Sequence, residues 1–213
     1  MSINKAVVVN NGGLHSTTAV AVAADRGYEV YSISFDYGNP FKLTAARKAV
    51  ASLKVKDSRF VKVDLPGYKG PGKPGDATAT SYIPARNAIF MSYALSWAEE
   101  IAAHHIFIAV NTIHYGAYPD CTPDFIHSYE HMGNTSTIKA CEGMPLNIWA
   151  PLMKQERGAF VARGTALGVK YEDTHSCYTP APDGTACGTC GGCKYRKAAF
   201  AEAGVKDPTK YIS

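Results

Sequence analysis

The chain has 213 residues, 46% of them hydrophobic, which suits one large domain able to bury a core. Its 22 basic and 18 acidic residues leave a formal charge of +4, a balance that suits an anionic small molecule and is too weak for a nucleic-acid surface, so no direct nucleic-acid binding is expected. No apolar run reaches the roughly 18 residues of a membrane span. The start, Met1 to Lys5, runs directly into a strand-like segment with no room for a targeting peptide, so a cytoplasmic protein without membrane contact is expected.

Ala6 to Val9 is a short, β-branched apolar run that predicts a strand covered on both faces. It leads into Asn10-Asn11-Gly12-Gly13-Leu14-His15-Ser16-Thr17-Thr18 and then an alanine-rich helix over Ala19 to Ala24. Strand, glycine turn, hydroxyl residues and helix make an anion-binding arrangement, because glycines let the backbone approach closely and free N–H groups at the helix start point at the anion. The pattern lacks the Gly-Lys-Ser/Thr of a Walker loop and is not G-x-G-x-x-G; taken alone, it suits an ordinary strand-to-helix turn equally well.

Tyr28 to Phe35 predicts a second strand ending in Asp36-Tyr37-Gly38, and such strand ends line the ligand crevice of an open parallel sheet. Apolar residues at 43, 46, 49, 50 and 53 predict a helix from Leu43 to Leu53, and Ser58 to Val63 alternates like a third strand. Residues 65–81, rich in proline and glycine, read as a loop of the kind that serves as a lid or a disordered excursion. Arg86 and Asn87 stand near the start of a helix spanning about residues 84–103, where a guanidinium facing the crevice suits phosphate or carboxylate and one facing outward is simply solvated.

A fourth strand is predicted at Ile106 to Val110, followed by a polar, aromatic loop over Asn111 to Cys121. Asp124 to about Met132 predicts a helix, Ile148 to Met153 an extended segment, and Lys154 to Leu167 another helix. A basic helix closes the chain over Lys194 to Ala203, with Lys194, Arg196 and Lys197 read as a solvated face. The alternation implies an α/β fold with a doubly wound, Rossmann-like parallel sheet.

Four of the six cysteines, Cys177, Cys187, Cys190 and Cys193, are spaced C-x9-C-x2-C-x2-C. Each C-x2-C step lets a tight turn aim two sulfurs at one point, and four thiolates complete a tetrahedral zinc ion with no position open to water. A structural zinc site is therefore expected, with an iron–sulfur cluster, a redox pair and two disulfides as alternatives; a reducing compartment disfavours the last.

Taken together, these pieces resemble the 7-cyano-7-deazaguanine synthase (QueC) family, ATP pyrophosphatases with a PP-loop. The resemblance rests on Gly12-Gly13-x-x-Ser16-Thr17-Thr18, Phe35-Asp36-Tyr37-Gly38, Pro84-x-Arg86-Asn87, Gly116-x-Tyr118-Pro119-Asp120-Cys121, Pro151-Leu152-Met153 and the four cysteines with Tyr178. It implies that 7-carboxy-7-deazaguanine is adenylated by ATP, that ammonia displaces AMP to give the amide, and that a second adenylation leads to the nitrile. It also implies a nucleotide-binding α/β domain over residues 1–170, a zinc-binding segment over 171–213 packed on it, and a homodimer.

By the same resemblance, Asn11, Gly12, Gly13, Ser16 and Thr17 would cradle the ATP phosphates with magnesium, Asp36, Tyr37, Arg86 and Asn87 would border the nucleotide, and Tyr118, Pro119 and Asp120 would contribute to the deazaguanine pocket. Ser16, His15, Arg86 and Asp120 are the catalytic candidates, and Cys177, Cys187, Cys190 and Cys193 the zinc ligands. The chain departs from the family pattern at Asn11, where the family has serine, and at His15, where it has aspartate. It departs again at Asn39, Pro40, Phe41 and Thr44, at Asn111, Thr112 and His114, and at Arg157, where a lysine is usual. A neutral imidazole is a poor ligand for hard magnesium. Two functions follow: a deazaguanine ligase, or a diverged relative that binds or acts on a deazaguanine or nucleotide without cleaving ATP, with His15 and His114 as new acid–base groups.

Overall fold

The computed structural model describes residues 4–73, 82–111 and 118–212. Five strands form one parallel sheet: β1 (Lys5–Val9), β2 (Glu29–Asp36), β3 (Asp57–Lys62), β4 (His105–Phe107) and β5 (Asn147–Trp149). Their order across the sheet is β3-β2-β1-β4-β5. The chain builds outward from β1 to β3, then returns to the other side of β1 for β4 and β5. The C-terminal ends of β1 and β4 therefore flank the point where the winding reverses, the usual ligand crevice of this architecture.

The helices are α1 (Leu14–Asp25), α2 (Pro40–Ser52), α3 (Arg86–Glu100), α4 (Pro123–Ser136), α5 (Ile138–Cys141), α6 (Arg157–Ala166) and α7 (Gly191–Ala203). Successive side chains of a strand point to opposite faces, so β1 feeds two cores. Val7 and Val9 join Ile33, Phe35, Phe90, Met91, Trp97 and Ile106 beneath α3. Ala6 and Val8 join Ala19, Val20, Ala23 and Phe107 beneath α1. A third cluster joins Leu14 and Ala21 of α1 to Phe160 and Val161 of α6 and to Ala199 and Phe200 of α7, so apolar packing runs across residue 170.

Three sequence expectations are corrected. The fourth strand is shorter than Ile106 to Val110: past Phe107 one more bond reaches the ladder, from Ile108 N to Trp149 O at 2.9 Å. Beyond it the Asn111 side-chain amide holds the carbonyls of Leu152 and Gln155. The sixth helix starts at Arg157 rather than Lys154, because the preceding residues turn back through Met153 N to Ala150 O and Gln155 N to Leu152 O. Arg196 is not on a solvated face: it is 1% exposed, and its guanidinium donates to Asp207 Oδ1 (3.0 Å), Thr174 Oγ1 (2.6 Å) and the Tyr171 carbonyl (2.8 Å). No helix among the described residues is long and apolar enough to cross a membrane.

Candidate active site

The glycine loop sits where β1 ends and α1 begins. Gly12 has a φ of +70°, and a Cβ there would lie 2.4 Å from the Lys42 carbonyl and 2.5 Å from Ala46 N, so only glycine lets α2 pack this close. The loop is largely satisfied by its own side chains. Asn10 Oδ1 accepts from Gly12 N (3.0 Å), and Asn11 Oδ1 accepts from Gly13 N (3.0 Å) and from Ser16 Oγ (2.8 Å). Ser16 Oγ in turn accepts from the backbone N–H groups of Asn11 and Gly13, each at 3.2 Å. The Thr17 hydroxyl is buried with no hydrogen-bond partner among the described residues. Residues 10–16 contain no carboxylate, so the loop itself offers a hard cation only amide, hydroxyl and backbone oxygens.

His15 lies on the first turn of α1. Its ring packs against Phe160 (centroids 4.4 Å apart) and Tyr195 (5.2 Å), and Nε2 meets Tyr195 Oη at 3.0 Å. Arg157 lies over the Tyr195 ring and pairs with Glu202 of α7.

The end of β2 supplies an aromatic wall. Phe35 stacks on Phe90 at 3.9 Å, and Tyr37 packs edge-on against Tyr68 at 5.1 Å. Asn39 Nδ2 donates to Tyr68 Oη (3.0 Å), while its Oδ1 caps α2 by accepting from Lys42 N (3.1 Å). Burial pushes the Tyr37 phenol up, opposed by the Arg86 guanidinium that bonds to it, and burial likewise pushes Tyr68 up to about 12. Asp36 Oδ1 turns back to Gly38 N at 3.2 Å.

Arg86 opens α3 after Ala85, which is held in the left-handed region at φ 52°. The neighbouring Asn87 is locked to the turn after β4: Asp120 Oδ2 accepts from Asn87 N and Asn87 Nδ2 donates to the Asp120 carbonyl, both at 3.0 Å. Asn87 Nδ2 also meets Cys121 Sγ at 3.2 Å, and burial with the adjacent Asp120 charge pushes the Cys121 thiol up to about 12. The ring of Tyr118, which precedes Pro119 in this turn, stacks on Tyr82 at 5.4 Å. The start of α3 thus joins the end of β2 through Arg86 and Tyr37, and the turn after β4 through Asn87 and Asp120. The sequence expectations for Thr112, His114 and Gly116, and for residues 74–81 of the proline/glycine loop, lie outside the described residues.

Lys42, absent from the sequence-based site, enters it from the first turn of α2. Its Nζ donates to the His175 carbonyl and lies 3.1 Å from where a Cβ on Gly13 would stand. Burial, with the nearby charges of Arg86 and Arg196, pushes its ammonium down to about 7. The only sequence signal was a lysine six residues past the second strand, just ahead of a helix read as starting at Leu43.

The four cysteines are buried and unpaired, with all four sulfurs within 4.8 Å of one another. Cys187 and Cys193 are 4.0 Å apart and Cys177 and Cys190 3.9 Å, far from the roughly 2.05 Å of a disulfide. A tetrahedral ion with metal–sulfur bonds of about 2.3 Å needs sulfur separations of about 3.8 Å, so the set fits such a metal. Backbone N–H groups of Tyr178, Cys187 and Cys190 point at sulfurs at 3.2–3.3 Å, which favours the thiolate form a metal requires. The cluster touches the glycine loop directly through the segment before it, since His175 N donates to the Gly12 carbonyl at 2.9 Å. Gly72 N donates to the Tyr178 carbonyl at 3.1 Å, so part of the proline/glycine loop is tied to the same segment.

The structure is similar to that of NMN synthetase from Francisella tularensis, with a TM-score of 0.52 at 15% identity over 96% of this chain and 79% of that one, a likeness of fold. The sequence is 42% identical to a 7-cyano-7-deazaguanine synthase of Stutzerimonas stutzeri over 100% of both chains. It is also 42% identical to one of Desulfatibacillum aliphaticivorans over 98% of this chain and 97% of the relative. The model of the queuosine biosynthesis protein QueC matches residues 5–204, and the chain belongs to that family.

Proposed function

We propose that this protein is an ATP-dependent 7-cyano-7-deazaguanine synthase. The observation that carries the reading is the end-to-end 42% identity with proteins of that name. The carboxylate of 7-carboxy-7-deazaguanine attacks the α-phosphorus of ATP and pyrophosphate leaves. Ammonia then attacks the acyl carbon, AMP departs with the carboxylate oxygen, and the loss of a proton gives the amide. In the second round the amide oxygen is adenylated, and departure of AMP with loss of the nitrogen-bound protons leaves the nitrile.

The chain's task is to hold a triphosphate beside a carboxylate and to stabilise the leaving pyrophosphate. Gly12, Gly13, Ser16 and Thr17 take the phosphates in this reading, Arg86 takes phosphate or the substrate carboxylate, and Asp36, Tyr37 and Asn87 border the nucleotide. Tyr118, Pro119 and Asp120 belong to the deazaguanine side; Asp120 acts there by orienting Asn87 and α3. His15 supports the loop through Tyr195. Magnesium entering with the triphosphate would find in the loop only amide, hydroxyl and backbone oxygens to add to phosphate and water, because residues 10–16 hold no carboxylate. Zinc in the cysteine cluster is structural, with all four positions filled by protein. The active form is a homodimer.

One observation favours a second reading. Asn11 Oδ1 occupies both Gly13 N and Ser16 Oγ, donors that an incoming phosphate needs, so a loop closed by its own amide would bind the deazaguanine without cleaving ATP. Incubation with 7-carboxy-7-deazaguanine, ATP, magnesium and ammonium, followed by mass spectrometry, separates the two. Amide or nitrile appearing together with AMP is expected. Unchanged base with intact ATP would refute the synthase reading.

A further inference from the structure

We infer that Lys42 is an anion-binding side chain of the glycine loop, one that exchanges the His175 carbonyl for a phosphate oxygen of bound ATP or pyrophosphate. The inference rests on the ATP-dependent reading above and assigns a residue to it.

Four observations converge on Lys42. First, its Nζ lies against the loop: a Cβ on Gly13 would lie 3.1 Å from Nζ and 2.9 Å from Asn11 Oδ1, so glycine at this position lets the ammonium come close to the loop backbone. Second, the ammonium forms no ion pair among the described residues and rests on the neutral His175 carbonyl. A charged phosphate oxygen is the stronger acceptor for it. Third, Arg86 from α3 is close enough to repel its charge, so two cations from two helices share one neighbourhood, whereas the charge of the nearby Arg196 is already paired with Asp207. Grouping like charges is costly unless a polyanion joins them. Fourth, Lys42 is fixed at the crevice by Asn39, whose side chain caps α2 on Lys42 N, and by the close passage of α2 over Gly12.

A latch on His175 alone would explain the hydrogen bond but not the close approach of the ammonium to Gly13 or the neighbouring Arg86 charge. The same carbonyl makes the exchange cheap to reverse, since Lys42 regains a partner when pyrophosphate leaves.

The test uses calorimetric titration of the metal-loaded protein with inorganic pyrophosphate, ATP and AMP. Lys42→Met and Lys42→Gln remove the charge, and the Gln variant keeps a donor for the His175 carbonyl. Both should weaken pyrophosphate and ATP binding by about 10- to 100-fold, the scale of a hydrogen bond to a charged group. AMP should be affected far less, and Lys42→Arg should recover most of the loss. Metal content and unfolding midpoint should match the parent. Pyrophosphate binding as tight in both uncharged variants as in the parent would overturn the inference while leaving the synthase reading intact. An equal loss for AMP and ATP, accompanied by a lower midpoint, would also overturn it, making Lys42 a structural latch. A parent protein that binds neither pyrophosphate nor ATP would remove the synthase reading and this inference together.

Discussion

Arg196 shows how much one buried charge can organise. Its guanidinium joins the 3-10 turn at Tyr171–Asp173, the Thr174 hydroxyl and Asp207 near the C-terminus, and it lies over the Phe200 ring at 5.0 Å. Asp207 is further held by Tyr211 Oη at 2.6 Å and by Thr209 N at 3.0 Å, so the pair sits inside a hydrogen-bonded network. Breaking such a pair by removing one partner strands the other, at a typical cost of about 3–5 kcal/mol. Arg196→Met should lower the unfolding free energy by about that amount in urea titration, with Arg196→Lys recovering only part because an ammonium lacks the guanidinium fork. A loss under about 1 kcal/mol, the scale of an exposed pair, would refute a buried structural role. Nothing in the sequence marked this arginine, because the basic residues at 194, 196 and 197 look the same whether the helix faces solvent or a single buried aspartate. Lys42 escaped for a related reason: its role depends on His175 and Gly13, far away in sequence, and only the folded chain brings them together.

Elements were read more successfully than single side chains, and the reason is periodic burial. The uniformly apolar residues 6–9 of β1 announce a parallel sheet covered on both faces, and the glycine loop between β1 and α1 follows directly after them. Ends were less legible because tertiary hydrogen bonds set them, as where Asn111 draws the chain away beyond β4. Contacts between helices are likewise invisible locally. At Gly158 in α6, an added Cβ would meet the α7 backbone at Glu202 C (2.7 Å) and Ala203 N (2.9 Å). Backbone cannot swing aside as a side chain does, so α6 and α7 would have to separate. Gly158→Ala should therefore destabilise by about 1–3 kcal/mol, against the slight gain that alanine usually brings inside a helix. A denaturation curve matching the parent's, or a more stable protein, would contradict close packing of these two helices.

At the scale of the whole molecule, the cysteine cluster and the crevice are a single mechanical unit. The segment 175–178 carries the first sulfur, and it also binds Gly12 through His175 N, receives Lys42 on the His175 carbonyl and holds Gly72 through the Tyr178 carbonyl. The Phe41 ring stacks on His175 at 5.4 Å, fixing the same segment to the start of α2. A Cβ on Gly192 would stand 2.2 Å from the Ser176 carbonyl, so the start of α7 presses against it from the far side. Without a metal, four buried sulfurs lose the charge compensation that keeps them together, and the loss passes along this segment to the glycine loop. The sheet has its own cores beneath α1 and α3 and does not depend on the cluster. Removing the proposed zinc with a strong chelator should therefore raise amide hydrogen exchange at residues 10–17 and 68–73 along with 175–193, while β1 to β3 stay protected and far-ultraviolet circular dichroism changes little. Restoring zinc should reverse the exchange. Faster exchange confined to 175–193, with the glycine loop still protected, would show that the cluster is an independent knob and that the His175–Gly12 contact carries no mechanical load.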